Sequence, residues 1–209
     1  MPGEAFEHVR QAAGEVLAAA EYRTEFYDHL RRTEGVVWKL ERAQHFHEPG
    51  TPSWTAMMSG DWDRSLALME EMRFADDLPP RAELRRLRIV EMPPTPYLQW
   101  EIVLLAARTR AGERARALHA RSVRHLESRA PLPELLILSH ELMYEVLYDE
   151  IGAHVGARRI TDTRIAEGCA RAVAGLYARA EDMVAFHDRE VAHLPPPAAG
   201  RILSRPGHS

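Results

Sequence analysis

The sequence predicts a soluble α/β (α+β) fold in which helices flank a small, largely antiparallel sheet. Three observations predict it. Apolar residues recur at helical spacing near the N-terminus, several short segments alternate apolar and polar residues as half-buried strands do, and a long amphipathic segment follows the last of them. A chain of 209 residues with 45% hydrophobic content can bury one core, so we expect a single domain over residues 1–194.

The first part of the domain, residues 4–80, is predicted to be mainly helical. Apolar residues between Glu4 and Arg32 have the spacing of one or two amphipathic helices. Residues 36–41 then alternate apolar and charged side chains, which is typical of a half-buried strand. A Pro, Gly and Ser turn cluster precedes a second helical segment from Trp54 to Phe74. This part therefore contributes helices and one strand.

The second part, residues 84–190, is predicted to hold most of the sheet. A strand at Leu87–Val90, a helix from Tyr97 to Arg108 and a strand at Ala115–Leu118 make a β-α-β unit. Short strands near 135–138, 142–148 and 156–160 then imply an antiparallel meander. A long C-terminal helix, capped by Asp162 or Thr163, is expected to cover the sheet. Residues 195–209 are rich in Pro, Gly, Arg and Ser and are predicted to be a flexible tail.

Charge and composition argue against several classes of protein. A net charge of -4 and a pI near 6.3 argue against direct nucleic-acid binding, which depends on clustered basic residues. The one cysteine, Cys169, allows neither an intramolecular disulfide nor a multi-cysteine metal site, and its place on an apolar helix face is typical of a buried thiol. No signal peptide or membrane-spanning stretch is recognisable. We therefore expect a cytoplasmic protein.

Glu101 is the first candidate for chemistry. On a helix it shares a face with Tyr97 and Arg108 and adjoins Trp100. A carboxylate on a mostly apolar stripe must be ion-paired or have a raised pKa. The functional interpretation is a general acid/base or an anchor for a ligand ammonium. The structural alternative, which we favour, is an ion pair with an arginine from a neighbouring element.

The strand from Leu142 offers a second group of polar side chains. Tyr144, Glu145, Tyr148 and Asp149 combine two phenols with two acids, which could line a polar pocket. A sheet with one packed side and one solvated side is the more usual explanation of such a pattern. From both segments we take Glu101, Tyr97 and Tyr144 as the catalytic candidates. The ligand-binding candidates are Trp100, Arg108, Glu145, Tyr148 and Trp38.

Two further motifs are weak. His45, His47 and Glu48 have the spacing of a metal site on an extended segment, but a polar strand end explains them better, and we assign no metal or cofactor. Gly152 and Gly156 lack the strand-then-helix context of a phosphate loop. We expect both glycines to be hairpin turn residues.

Five short motifs together suggest a family. They are Val37–Glu41, Pro52–Trp54, Gly60–Trp62, Pro96–Glu101 and Tyr144–Asp149. Over roughly Tyr22 to Glu181 the chain resembles the actinobacterial domain of unknown function 6879. The resemblance implies a protein of filamentous soil bacteria, encoded near helix-turn-helix regulators or inside specialised-metabolite gene clusters. The β-α-β-β-β-α order from Leu87 to Phe186 is also similar to one half of a phospholipase-D-like fold, with its His-x-Lys motif missing.

Two functions remain open, and the sequence does not decide whether the protein is an enzyme. The first is a non-catalytic, ligand- or partner-binding regulatory or accessory protein, favoured because no nucleophile, metal set or phosphate loop is recognisable. Its partner would be a small molecule, a helix-turn-helix regulator or pathway protein, or a second copy of the chain. The second is a small biosynthetic enzyme of specialised metabolism, with Glu101 as general acid/base and Tyr97 or Tyr144 orienting the substrate.

Overall fold

The computed structural model describes residues 2–71, 79 and 81–198. Within them the helices are α1 (Pro2–Gln11), α2 (Ala19–Leu30), α3 (Pro52–Met58), α4 (Trp62–Glu71), α5 (Pro96–Arg110), α6 (Thr163–Arg179) and α7 (Met183–Glu190). The strands are β1 (Glu15–Ala18), β2 (Gly35–Glu41), β3 (Ala82–Val90), β4 (Arg114–His119), β5 (Leu135–Ile137), β6 (Met143–Tyr148), β7 (His154–Ile160) and β8 (Glu181–Asp182). The predicted mixed α/β class is confirmed. The predicted helix end at Phe74 and the tail beyond residue 198 lie outside the described residues.

The described strands form one eight-stranded sheet in the order β1-β7-β6-β5-β2-β3-β4-β8. The β2–β3 and β3–β4 pairs are parallel, and the other neighbours are antiparallel. The segment β3-α5-β4 is the predicted β-α-β unit, and β5, β6 and β7 form the predicted meander. Four strands lie between α5 and α6, as the predicted segments have it, whereas the β-α-β-β-β-α order has three; the phospholipase-D likeness stays a prediction.

The sheet is larger than predicted because a short strand is added at each edge. β1 interrupts the N-terminal segment for which helices alone were predicted. At the other edge β8 divides the predicted long C-terminal helix into α6 and α7. The carboxylate of Asp182 accepts hydrogen bonds from the N–H groups of Val184 (2.9 Å) and Ala185 (3.3 Å), so it starts a new helix. Because β1 and β2 pair with strands of the second half, the sheet draws on both predicted parts.

The two faces of the sheet differ in chemistry. On one face α1 and α6 cover a continuous apolar cluster. On the other face, alternation along β2 and β3 brings charged side chains together, with Lys39 opposite Arg86 and Glu41 opposite Arg88. We call this second side the polar face. It is covered in part by α2, by α5 with α7, and by the α3–α4 pair. In the described part of the chain, no helix is both long and apolar enough to cross a bilayer.

Candidate functional site

A cleft of about 940 Å³ opens on the polar face above the middle of β2. Val37 and Lys39 of β2 form its floor. On one side, α2 and strands β6 and β7 supply the aromatic wall: Tyr22, Phe26, Tyr27, Tyr148 and His154. On the other side, the start of β3, the end of α5 and the start of β4 supply the basic wall: Arg81, Glu83, Arg86, Arg108, Glu113 and Arg114. The sheet order therefore gives the cleft two chemically different sides.

The basic wall is held by a buried ion-pair network. Nη1 of Arg86 donates to both carboxylate oxygens of Glu41 (2.8 and 2.9 Å), and its Nε donates to Glu113 (2.7 Å). Glu113 also pairs with Arg108, and Nζ of Lys39 lies 2.7 Å from Glu41. Burial alone would raise the pKa of both carboxyls, but the neighbouring cations hold the pKa of Glu41 and Glu113 below the usual range. Both are therefore ionised, and they fix the position of Arg86.

The aromatic wall is uncharged at neutral pH. The Tyr22 ring centre lies 5.8 Å from that of Phe26 and 5.4 Å from that of His154, and Tyr148 lies 5.8 Å from His154. Burial lowers the pKa of His154 and raises that of Tyr22 and Tyr148, so all three side chains are neutral near pH 7. Nε2 of His154 is buried and makes no hydrogen bond to a described residue. This wall therefore offers flat, uncharged ring surface to the cleft.

Of the residues predicted as a site, Arg108 and Tyr148 line the cleft, on opposite walls. Glu101 does not line it. Its Oε2 lies 2.7 Å from Nε of Arg88, and both side chains are buried between α5 and β3. This is the arginine ion pair that we weighed against a catalytic role. Burial raises the pKa of Glu101, and the charge of Arg88 opposes that rise.

Tyr97 and Trp100 belong to the same buried layer as Glu101. The Tyr97 hydroxyl lies 3.3 Å from Oε1 of Glu101 and 3.0 Å from Oε1 of Glu48. The Trp100 ring packs against Tyr97 with ring centres 5.4 Å apart. Neither side chain lines the cleft. The Tyr97 hydroxyl is thus bonded within this layer, while Nε1 of Trp100 is buried and makes no hydrogen bond to a described residue.

The remaining candidates lie elsewhere on the sheet. Tyr144 donates to Glu25 on α2 (2.7 Å), Glu145 pairs with Arg158 (2.7 Å), and Trp38 packs against Tyr177 of α6. The catalytic candidates Glu101, Tyr97 and Tyr144 do not meet in one pocket, because β5 and β2 lie between β6 and β3, the strand to which Glu101 is bonded. Side chains along a strand point alternately to the two faces of the sheet. Glu145 and Trp38 occupy positions that point away from the cleft, to the opposite face.

The histidines of the weak metal motif pack against aromatic rings, and Cys169 is buried. The ring of His45 packs on Tyr97 (5.3 Å) and that of His47 on Trp54 (5.0 Å). Across residues 2–71, 79 and 81–198, no group of three or more His, Cys, Asp or Glu side chains is placed to hold a metal ion. Burial raises the pKa of the Cys169 thiol to about 12, which keeps it protonated at neutral pH.

Sequence reasoning missed Lys39, Arg86 and His154. Periodicity indicated that Lys39 and Glu41 share one side of a strand, but the strands beside them could not be deduced from it. One signal was available. Lys39 is the one lysine among the chain's 27 Lys and Arg residues.

A family model described as "Domain of unknown function (DUF6879)" matches residues 24–188. The chain belongs to this family. The DUF6879 match includes β2, β3, α5 and β6, so it contains Lys39 and most of both walls of the cleft. No curated protein matches the chain.

Among solved structures, the chain is similar to one described as "Structure of TrmBL2, an archaeal chromatin protein, shows a novel mode of DNA binding". The sequence identity is 11% and the TM-score is 0.43. The likeness covers 80% of this chain and 52% of that one, so the chain spans about half of the TrmBL2 structure. At this TM-score it supports no argument about function.

Proposed function

We propose that this DUF6879 protein is a non-catalytic binding protein whose cleft holds a small anionic molecule. One observation carries the proposal. The chain has a net charge of -4, yet the residues that line the cleft include five cationic and two acidic ones. The cationic residues are Lys39, Arg81, Arg86, Arg108 and Arg114. A positive, partly buried surface on an acidic protein attracts anions to that place.

The size of the cleft favours a small molecule over a polymer. Its volume of about 940 Å³ falls within the range of roughly 300–1,000 Å³ of small-molecule sites. Nucleic-acid binding depends on many phosphate contacts along an extended basic surface. The basic wall instead occupies one side of the cleft and the aromatic wall the other, so we propose that the anion is a single small group.

A binding role, rather than a catalytic one, is supported by the state of the carboxylates in the cleft. Glu113 is bonded to Arg86 and Arg108, and Glu83 is bonded to Arg85. A general base needs a pKa near the working pH, and ion pairing holds the pKa of Glu113 below its usual range. The alternative that uses Glu101 has no support from the cleft, because Glu101 lies outside it.

The biological role that we propose is regulatory or accessory. The family resemblance suggests an actinobacterial protein encoded near a helix-turn-helix regulator or within a specialised-metabolite locus. A ligand that occupies the cleft would then change the affinity of the protein for such a regulator, for a pathway protein or for a second copy of itself. We expect the protein to act in the cytoplasm and without direct contact to nucleic acid.

The test is thermal unfolding of the purified protein with a panel of small anions: inorganic phosphate, acetate, citrate and 2-naphthoate. We expect at least one of them to raise the Tm, since a ligand present at 100 times its Kd stabilises by about 2.7 kcal/mol. Lys39→Met should abolish the rise. Arg171→Met removes one positive charge from an exposed ion pair on α6 and should leave the rise intact. If no anion raises the Tm, or if Lys39→Met responds as the natural protein does, the proposal fails.

A further inference from the structure

We propose, on the basis of the proposed function, that the ligand is an aromatic monocarboxylate and that Lys39 binds its carboxylate. Two independent features carry this inference. One is the division of the cleft into an aromatic wall and a basic wall, with Lys39 on the floor between them. The other is the residue type at position 39.

The division of the cleft sets the shape of a fitting ligand. Tyr22, Phe26, Tyr148 and His154 present flat, uncharged ring surface on the β6–β7 side of β2. The charged groups lie on the β3–β4 side. A molecule that spans β2 would therefore place an apolar ring over β6 and β7 and its anionic group over β2 and β3. Aromatic rings pack well in such surroundings, in offset or edge-on contacts.

The anionic group is expected to carry one charge. Arg86 already uses its Nε and Nη1 on Glu113 and Glu41, so two of its three guanidinium nitrogens are bonded within the protein. A phosphate is best recognised by an arginine fork that accepts two of its oxygens. Lys39 offers a compact point charge on a flexible stem, and its contact with Glu41 uses one of three ammonium donors. The single charge of the Lys39 ammonium therefore matches the single charge of a carboxylate on the ligand.

The residue type at position 39 also points to a ligand. Lys39 is the one lysine of the chain, and every other basic residue counted among the 27 Lys and Arg is an arginine. This includes the arginines in buried ion pairs, such as Arg86 and Arg88. If Lys39 only balanced Glu41, arginine would fill the role at least as well, because it can bind a carboxylate through two N–H groups. The smaller ammonium leaves the cleft floor open. The Lys39 side chain is 30% exposed, which makes it accessible to a bound molecule.

The experiment is a calorimetric titration with three matched probes: 2-naphthoate, 2-naphthylmethanol and acetate. The second has the same ring without the charge, and the third has the charge without the ring. Inorganic phosphate is the fourth probe. We expect 2-naphthoate to bind with a Kd at least tenfold lower than that of each other probe. Lys39→Arg keeps the charge and can keep the Glu41 pair, yet it should weaken 2-naphthoate at least tenfold. Lys39→Met should weaken it further, and Arg171→Met should bind as the natural protein does.

The possible outcomes separate the inference from the proposed function. If phosphate or acetate binds and 2-naphthoate does not bind more tightly, the aromatic class is overturned while an anion-binding cleft stands. If no probe binds, both fail. If Lys39→Arg binds 2-naphthoate as tightly as the natural protein, Lys39 supplies only charge and its assignment is overturned. Circular dichroism checks the fold of each variant, and Lys39→Gln replaces any variant that does not fold.

Discussion

Arg88 and Glu101 form a buried ion pair between β3 and α5. The Arg88 side chain has no exposed surface, and its Nε lies 2.7 Å from Oε2 of Glu101. The effective cost of removing an ion from water is several kcal/mol, so neither charge would be stable here without the other. The Tyr97 hydroxyl, 3.3 Å from Oε1 of Glu101, supplies a further polar contact. The pair therefore sets the position of α5 on the sheet.

Replacement of Glu101 by Gln is expected to destabilise the protein by about 3–5 kcal/mol, because the buried Arg88 guanidinium loses the carboxylate to which it is bonded. The double variant Arg88→Met/Glu101→Leu should recover most of that loss, since it removes both charges together. Urea unfolding followed by circular dichroism measures both effects. A Glu101→Gln protein as stable as the natural one would contradict this account of the pair.

Glu134 is a buried carboxyl that forms no ion pair with a described residue. Its Oε1 accepts hydrogen bonds from the N–H groups of Arg42 (2.8 Å) and Ala43 (2.6 Å), while its Oε2 is buried and bonded to no described residue. Burial raises the pKa of Glu134 to about 7, against the opposing charge of Arg88. Between the unfolded pKa of about 4.3 and pH 7 the native state thus holds a proton that the unfolded state releases. Stability therefore falls as the pH rises through this window.

Glu134→Gln tests this pH dependence. The amide keeps an oxygen acceptor for the two N–H groups and removes the ionisable group. The stability of the variant relative to the natural protein should rise by about 2–3 kcal/mol between pH 5 and pH 8. Urea unfolding at the two pH values gives the comparison. An equal difference at both pH values would show that titration of Glu134 is not the cause.

At the scale of elements, the edge strand β1 depends on a glycine in β7. Gly156 pairs with Ala18 and has a φ of +152°. A Cβ at this position would lie 2.1 Å from the carbonyl oxygen of Leu17, far inside van der Waals contact. The sequence pattern predicted a hairpin turn residue, and this is wrong: Gly156 lies within β7, where β1 approaches its backbone closely. Gly152, with a φ of +82°, does lie in the turn before β7.

Gly156→Ala should therefore displace β1 and lower the free energy of unfolding by more than about 1 kcal/mol. Hydrogen exchange of the β1 amides should become faster than in the natural protein. Gly175→Ala is the matched control, because Gly175 lies within α6 and a Cβ there meets open space. We expect that variant to be more stable by about 0.5–1 kcal/mol. If both variants behave alike, the close approach of β1 is not what requires glycine.

At the scale of the whole molecule, local patterns predicted the central elements and failed at the edges. β2 follows from its alternation, and α5 follows from a long apolar run between Pro96 and Gly112. β1 has four residues and β8 has two, which is too few for alternation to be recognised. The same limit explains why α6 and α7 were predicted as one helix, since both share a continuous apolar pattern.

The candidate site was predictable only in part, because strand order brings its walls together. An ion pair for Glu101 followed from the burial of a carboxylate on a helix, but the choice of Arg88 requires β3 beneath α5. The cleft itself joins α2, β2, β3 and β7, which are far apart in sequence. Periodicity tells which side of a strand is charged. It does not tell which strands lie next to it.

Because Lys39 on the cleft floor is the one lysine of the chain, a lysine-specific protease has a single cleavage site in this protein. A lysine-specific protease can hydrolyse one peptide bond, Lys39–Leu40, and that bond lies in β2, between β5 and β3. A protease accepts its substrate as a separate extended strand, so the bond becomes accessible only when the sheet opens. Where reclosing is faster than cleavage, the rate of digestion measures the population of the opened form. Digestion by a lysine-specific protease therefore reports how often the central strands of the sheet separate.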